Sequence, residues 1–287
     1  MKWLRLWHIG FAIFTLKIIL ITYLLITVLP HVDWSTAHID KTFLTFVLVG
    51  FVAQMIDGTL GMAYGVSCTT MLLHFGVLPR VASAAVHTAE VFTTGVSGLS
   101  HIRFKNIDKR LFFRLVFPGV IGAMVGAYFI SEIFDGKIIK PYIAVYLLVL
   151  GIIILIKGLR NKPKVHIDVK RAGLLALIGG FMDAVGGGGW GPIVTSNIIN
   201  QGKNPKETIG TVNTTEFFVA FFSTGVFLFF VGVESWPVVL GLIAGGVVAA
   251  PVGAFFASRV NKRTLMILVG VVIILTSCYT VYRAFYG

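Results

Sequence analysis

Long apolar stretches separated by short polar ones run the whole length of the chain, and ten-residue segments of strictly alternating character are absent. A leading stretch, residues 11–29, reads as one transmembrane helix. After it the apolar pieces fall into two sets of five. The first set is 43–56, 62–75, 81–100, 111–131 and 138–159; the second is 172–182, 188–201, 207–231, 236–259 and 264–285. A hydrocarbon core about 30 Å thick needs about 20 residues of helix, and the last three pieces of each set supply that. The first two pieces of each set are short, since about 13 residues rise only about 20 Å. Each such pair predicts a re-entrant hairpin with its turn near mid-membrane, and tightly packed short spans would give the same topology. The expected fold is an all-α polytopic membrane protein. Its parts are an N-terminal helix and outer loop (1–40), a first membrane repeat (41–160), a basic linker (161–171) and a second repeat (172–287).

The two sets are copies. Asp57-Gly58-Thr59-Leu60-Gly61-Met62-Ala63-Tyr64-Gly65 returns 126 residues later as Asp183-Ala184-Val185-Gly186-Gly187-Gly188-Gly189-Trp190-Gly191. The same offset pairs Thr69 with Thr195, Thr70 with Ser196, Gly76 with Gly202, Pro79 with Pro205, His87 with Asn213, Thr88 with Thr214 and Glu90 with Glu216. Three full crossings per copy are an odd number, so the second copy is expected to be inverted relative to the first. Glycine-broken apolar segments at corresponding places in two such halves point to a secondary transporter's binding site. Further on, Gly119, Gly122 and Gly126 match Gly246, Ala249 and Gly253 at an offset of 127, a small-residue stripe that lets helix backbones approach.

Composition agrees. Of 287 residues, 56% are hydrophobic and 13% charged, too apolar for a soluble domain of this size. The net charge of +12 would suit nucleic acid, but its placement suits a membrane. Arg103, Lys105, Lys109, Arg110 and Arg114 lie in one inter-helical region, Lys157 to Arg171 in another, and Arg259 to Arg263 in a third. Short basic loops mark the cytoplasmic face, and the inverted arrangement puts eighteen of the 24 Lys and Arg there, together with the N-terminus. Lys17 falls inside the first span, where it must snorkel or meet a polar interior. Residues 11–29 are longer than a usual signal h-region, so the segment is read as uncleaved. Cys68 and Cys278 are too few and too far apart for a disulfide framework or a metal site.

The candidate chemistry sits at the breaks. Gly61 and the run Gly186, Gly187, Gly188 and Gly189 are expected to expose backbone N–H groups, and the half-helix that starts near Trp190 points its positive end at the turn. Both favour an anion without any lysine; a turn that needs glycine for steric reasons is the plain alternative. Asp57 and Asp183 either cap the following half-helix or act as intramembrane carboxylates. Glu90 and Glu216 lie near mid-span, each with His87 or Asn213 three residues before it on one helical face, and each beside Thr88 or Thr214. Those four carboxyls are the candidates for carrying a coupled proton. Thr69, Thr195 and Ser196 offer hydroxyls to a substrate or bond back to their own helix. Tyr64 and Trp190 occupy equivalent turn positions, able to close over a ligand or simply to fill space. His74 and His101 lie near predicted membrane ends.

With Asp57–Gly65, Gly76 and Pro79, then Asp183–Pro192, Gly202 and Pro205, the chain resembles the sulfite exporter TauE/SafE family over roughly residues 43 to 285. It departs from the family's usual glycine content at Leu60-Gly61-Met62-Ala63 and carries ionisable groups at His87-Thr88-Ala89-Glu90. The resemblance implies a multi-pass permease of the bacterial inner membrane, linked with organosulfonate catabolism, that exports sulfite, sulfoacetate or a related oxyanion. The expectation is a secondary transporter working by alternating access, with a small anion and membrane lipid as partners, a homodimer as its allowed assembly, and no cofactor, metal or nucleic acid. An anion channel is the nearer rival. An intramembrane aspartyl protease using Asp57 and Asp183 is the remote one, because the Gly-x-Gly-Asp setting of such enzymes is missing.

Overall fold

In a computed structural model the described residues are 2–28, 30, 41–60, 62–160, 171–201, 203–232, 236–256 and 261–286. They form α1 (Lys2–Val28), then α2 (Lys41–Leu60), α3 (Tyr64–His74), α4 (Pro79–Arg103), α5 (Lys109–Tyr128) and α6 (Gly136–Leu159) in the first copy. The second copy holds α7 (Ala172–Gly186), α8 (Ser196–Asn200), α9 (Pro205–Phe230), α10 (Trp236–Phe256) and α11 (Lys262–Tyr286). Wide π-type turns extend α5 (Phe129–Ile133) and lead into α8 (Gly191–Thr195). No strand occurs among the described residues. Among the described residues, five stretches are long and apolar enough to cross a membrane: Leu6–Thr27, Lys109–Ile133, Gly136–Leu159, Glu207–Phe230 and Arg263–Arg283. The molecule is an all-α polytopic membrane protein.

The helices follow the apolar pieces closely, with one systematic correction. The first helix of each copy runs through its aspartate instead of stopping before it: α2 continues past Asp57 to Leu60, and α7 past Asp183 to Gly186. A carboxylate in an apolar run looks like a boundary, yet it can stay helical when its side chain finds donors across the following turn. At 20 residues, α2 is about 30 Å long and is not one of the two short arms expected there.

Packing exchanges the copies reciprocally. The first helix of each lies on the fourth of the other (α2 on α10, α7 on α5), the third on the third (α4 on α9), and the fifth on the fifth (α6 on α11). Glycine sets the distance in each seam. A Cβ on Gly122 or Gly126 of α5 would strike the carbonyls of Leu177 and Phe181 on α7, and one on Gly245 of α10 would strike Val47 O on α2. On α10 the seam uses Gly241 and Gly245, one residue away from the Gly246 expected from the repeat. Gly246 instead turns to the centre, beside Tyr64. Large apolar side chains such as Phe11, Phe117, Phe229 and Leu275 face outward, whereas Thr, Ser, His87 and Glu90 line the buried face of α4. That inversion of the soluble pattern is what lipid on the outside and a polar pathway inside require.

α1 packs outside the two copies through Leu6, Ile9, Ile13 and Leu20 against Val91, Phe112, Val116 and Phe217. Lys17 meets a polar partner there: its Nζ donates to the Phe92 carbonyl at 3.3 Å. At the end of the bundle holding the α4–α5 loop, Asp108 accepts from the N–H groups of Arg110 and Leu111 and pairs with Lys203 at 3.1 Å. Two loops that charge placement assigns to one face thereby touch. The linker 161–170 lies outside the described residues.

Two outcomes follow. Gly122→Leu should abolish a monodisperse, folded preparation, whereas Gly225→Ala, with nothing within 4 Å of the new methyl, should leave the unfolding free energy equal or higher by up to about 1 kcal/mol. For Asp108, partial burial opposes the charge, but the Leu111 N–H, Lys203 and the Arg110 N–H outweigh it and hold the carboxyl below the ordinary 3.8. A depressed carboxylate stabilises fully above 3.8 and progressively less as the pH falls below it. The stability gap between the native chain and Asp108→Ala should therefore be constant near neutrality and shrink below 3.8; a gap that widened in acid would refute the assignment.

Candidate functional site

The two breaks meet in the buried centre. Gly188 lies so close to Gly65 and Val66 that a Cβ on it would sit inside their backbone, and a Cβ on Gly191 would lie 2.8 Å from Met62 Cβ. Ala63 before α3 has φ 86°, and Gly187 after α7 has φ 64°, so both turns use the left-handed region. In the second turn glycine takes that conformation freely; in the first, alanine does so at a cost of about 1–2 kcal/mol.

Each turn is closed by its own aspartate. The Asp57 carboxylate accepts the Tyr64 N–H, and Asp183 Oδ1 accepts the Trp190 N–H at 2.9 Å. The Gly187 and Gly188 N–H groups bond to the Asp183 carbonyl. The amides that the glycine run was expected to leave open are thus largely taken within the turn. Side chains from elsewhere hold the turn's carbonyls. Thr69 Oγ1 donates to Gly187 O, Tyr146 Oη donates to Gly188 O at 2.9 Å, and Ser83 Oγ donates to Ala184 O at 2.5 Å. Trp190 is fully buried, its Nε1 on the Val212 carbonyl at 3.3 Å and its ring against Gly119. Tyr64 stands in the matching place beside Gly246.

Around this junction the ionisable groups gather. His87 Nε2 lies 3.3 Å from Asp183 Oδ2, with both side chains buried, and its Nδ1 meets the Ser83 carbonyl at 2.9 Å. Glu90 points its Oε1 at Gly65, 3.1 Å from where a Cβ would stand, and its Oε2 is buried without a hydrogen bond. His87, Glu90 and Asp183 bring one ligand atom each within 4.8 Å of one another, a trio able to share protons or to hold a cation. Glu90 feels the charges of Asp183, Glu216 and Asp57, and Glu216, only half-buried, feels those of Asp57 and Asp183.

The remaining candidates divide. Thr195 Oγ1 is buried and unpartnered. Ser196 Oγ reaches Gly191 O at 3.5 Å. Thr88 and Thr214 bond back to Ala84 O and Gly210 O of their own helices. Asn213, the counterpart of His87, donates to Ser97 Oγ at 3.2 Å instead of meeting a carboxylate. Gly186 and Gly189 lie against the Tyr146 ring and hydroxyl, and Gly61 lies outside the described residues. Sequence reasoning missed Ser83 and Tyr146. Ser83 carried a faint signal, four residues before His87 on the same face. Tyr146, a polar tip in a long apolar run, carried none that distinguishes it from an ordinary buried tyrosine.

Ala63→Gly should raise the unfolding free energy by up to about 1 kcal/mol after the entropy of the added glycine. Gly188→Ala should lower it by at least about 1–3 kcal/mol, since the methyl meets backbone. Thermal unfolding in detergent reads both, and the opposite order would refute this geometry of the turns.

The chain matches the sulfite exporter TauE/SafE family over residues 46–280. It is similar to the probable membrane transporter protein YtnM of Bacillus subtilis (strain 168), 45% identical over 249 residues that cover 84% of this chain and 83% of that protein. Probable membrane transporter protein YunE of the same organism is 20% identical over 274 residues, covering 86% of this chain and 100% of its own length. No solved structure matches. The chain belongs to the sulfite exporter TauE/SafE family and is a multi-pass membrane transporter.

Proposed function

We propose that the chain is a secondary transporter that exports a small sulfur oxyanion, sulfite or an organosulfonate, by alternating access, with its two copies inverted in the membrane and its N-terminus cytoplasmic. The reciprocal packing of α2 on α10 and α7 on α5 supports inversion, because a two-fold axis in the membrane plane exchanges such pairs. The family's description supports the substrate class.

One observation carries the mechanism: Asp183 occupies the anion position on the Trp190 N–H, and its other oxygen faces His87. A substrate oxyanion seeking that half-helix end must displace a carboxylate. Two negative groups do not share one donor in a dry site, so the aspartate must be neutralised first. His87 is placed to pass it a proton, with Glu90 beside the same turn as the next acceptor. Thr195 Oγ1, buried and unpartnered, then supplies a donor to the bound anion. In this scheme a proton travels with the anion. A dianion moving with one proton still carries one negative charge outward, which an inside-negative potential favours by about 2.3 kcal/mol per 100 mV.

Proteoliposomes loaded with sulfite test this. Saturable efflux is expected, competed by thiosulfate and sulfoacetate more than by acetate, and accompanied by an alkaline shift inside. Asp183→Asn and Glu90→Gln should abolish the pH change. Intact sulfite flux with unaltered proton movement in both variants would remove these residues from the mechanism, and absence of flux for every anion would sink the substrate assignment.

A further inference from the structure

At the end of the bundle away from Asp108 and Lys203, α3, α6 and α11 frame a second feature, a cavity of about 280 Å³. Lys140 enters it from the second turn of α6 and Arg283 from the last turn of α11. Arg283 bears on Lys140 electrostatically, and among the described residues no carboxylate lines the cavity. Two like charges facing one cavity repel, and an anion seated between them turns that repulsion into attraction. His74 stands on the third side with a buried Nδ1 that has no hydrogen-bond partner, its ring packed on Tyr279 at 5.2 Å. Gly76 completes the wall. Its φ of +90° ends α3, and the space a side chain would fill there is open. The N–H groups of Phe75, Gly76 and Val77 are already bonded to Met71, Leu73 and Leu72 carbonyls, so only side chains remain to receive a ligand.

The repeat gives this pair a second, independent meaning. Arg283 lies 126 residues after Lys157, the offset that relates the two breaks and also the starts of α6 and α11, Gly136 and Lys262, although the glycine stripe between them runs at 127. Lys157 ends α6 and donates to the Pro192 carbonyl at 2.9 Å, beside the broken helix of the second copy. Arg283 ends α11, which packs on α3, the broken helix of the first. Each long last helix therefore offers a cation to one short helix. Lys157 is engaged with a carbonyl, while Arg283 faces an open cavity with Lys140 added.

We infer that this cavity is an oxyanion site: Lys140 and Arg283 take a small, doubly charged sulfur or phosphorus oxyanion, or the phosphate of a lipid headgroup with the same chemistry, and His74 Nδ1 contributes one further bond. Its placement beside α3, at the end opposite the basic loops, makes it the exit position at the outer mouth of the pathway, a role that rests on the transport reading above; the binding site itself does not. Guanidinium and ammonium groups gain most from oxyanions that accept several charge-assisted hydrogen bonds at once, so chloride should compete poorly.

The test uses the full-length protein purified in phosphate-free detergent and titrated with sulfate against chloride at equal ionic strength, with binding read by calorimetry and by unfolding midpoint. Sulfate should bind and raise the midpoint of the native chain. The double variant Lys140→Gln/Arg283→Gln should bind at least about tenfold more weakly. Arg283→Glu, which gives Lys140 an internal partner, should fold at least as well without sulfate and lose the sulfate response. Undiminished sulfate binding in both variants would overturn the site. Repeating the titration in nanodiscs separates the sources. Sulfate binding that is equal in phosphatidylcholine and phosphatidylglycerol identifies a free anion as the ligand, and binding suppressed only by phosphatidylglycerol identifies the headgroup. Sulfate binding without sulfite flux would sink the transport reading and leave the site; flux without sulfate dependence at Lys140 and Arg283 would sink the site alone.

Discussion

The contact of backbone on backbone at Gly188 and Val66 is the constraint around which the rest is arranged. Two stretches of non-helical chain cross there, in a position where water cannot satisfy them. Such backbone survives at membrane depth only when protein groups take its donors and acceptors. Asp57 and Asp183 take the amides at the starts of the half-helices; Thr69, Tyr146 and Ser83 take the carbonyls. The glycine seams α5–α7 and α2–α10 bring the two turns close enough for this, and α6 packed on α11 supplies both Tyr146 and Lys157. A seam widened by one methyl would unmake hydrogen bonds at the crossing as well as packing.

The copies share a frame but not a chemistry. His87 engages a carboxylate, while Asn213 settles on a serine. Gly189 sits where Ala63 takes a left-handed backbone, and Tyr146 serves the second turn only. Duplication supplies two glycine-broken turns in symmetric places, each closed by its own aspartate; divergence gives only the second an imidazole beside that aspartate. In the proposed alternating-access cycle, the symmetric scaffold exchanges two arrangements of similar energy while the imidazole–carboxylate pair stays on one side.

How much of this was legible follows from what local pattern encodes. The ten pieces, the repeat and the grouping of basic loops were readable because hydropathy and charge are properties of single segments. The reach of α2 and α7 through their aspartates was not, since the donors that keep those carboxylates in the helix come from beyond the turn. Gly186 to Gly189 announced a turn but not where its amides go. Ser83 and Tyr146 were invisible as site residues because their partners lie 101 and 42 residues away, and no periodicity records a contact across copies. Gly241 and Gly245, not Gly246, form the seam on α2 for the same reason: the alignment gives equivalence in sequence, while helix rotation decides which glycine faces the neighbour.

The position of Asp183 joins the folding problem to the transport problem. As a cap it completes the turn, and a cap removed from a buried half-helix leaves an unpaired N–H. As a carboxylate on that N–H it imitates a bound anion. On the proposed reading, an arriving anion replaces the cap on that N–H without ever exposing an empty donor in the membrane. The exchange needs only that the aspartate's charge be cancelled, and His87 at 3.3 Å is the group placed to do so. In the proposed mechanism one residue serves both ends, because backbone satisfaction and anion recognition use the same donor, and the coupling of proton and substrate rests on the same hydrogen bond that lets the chain turn inside the membrane.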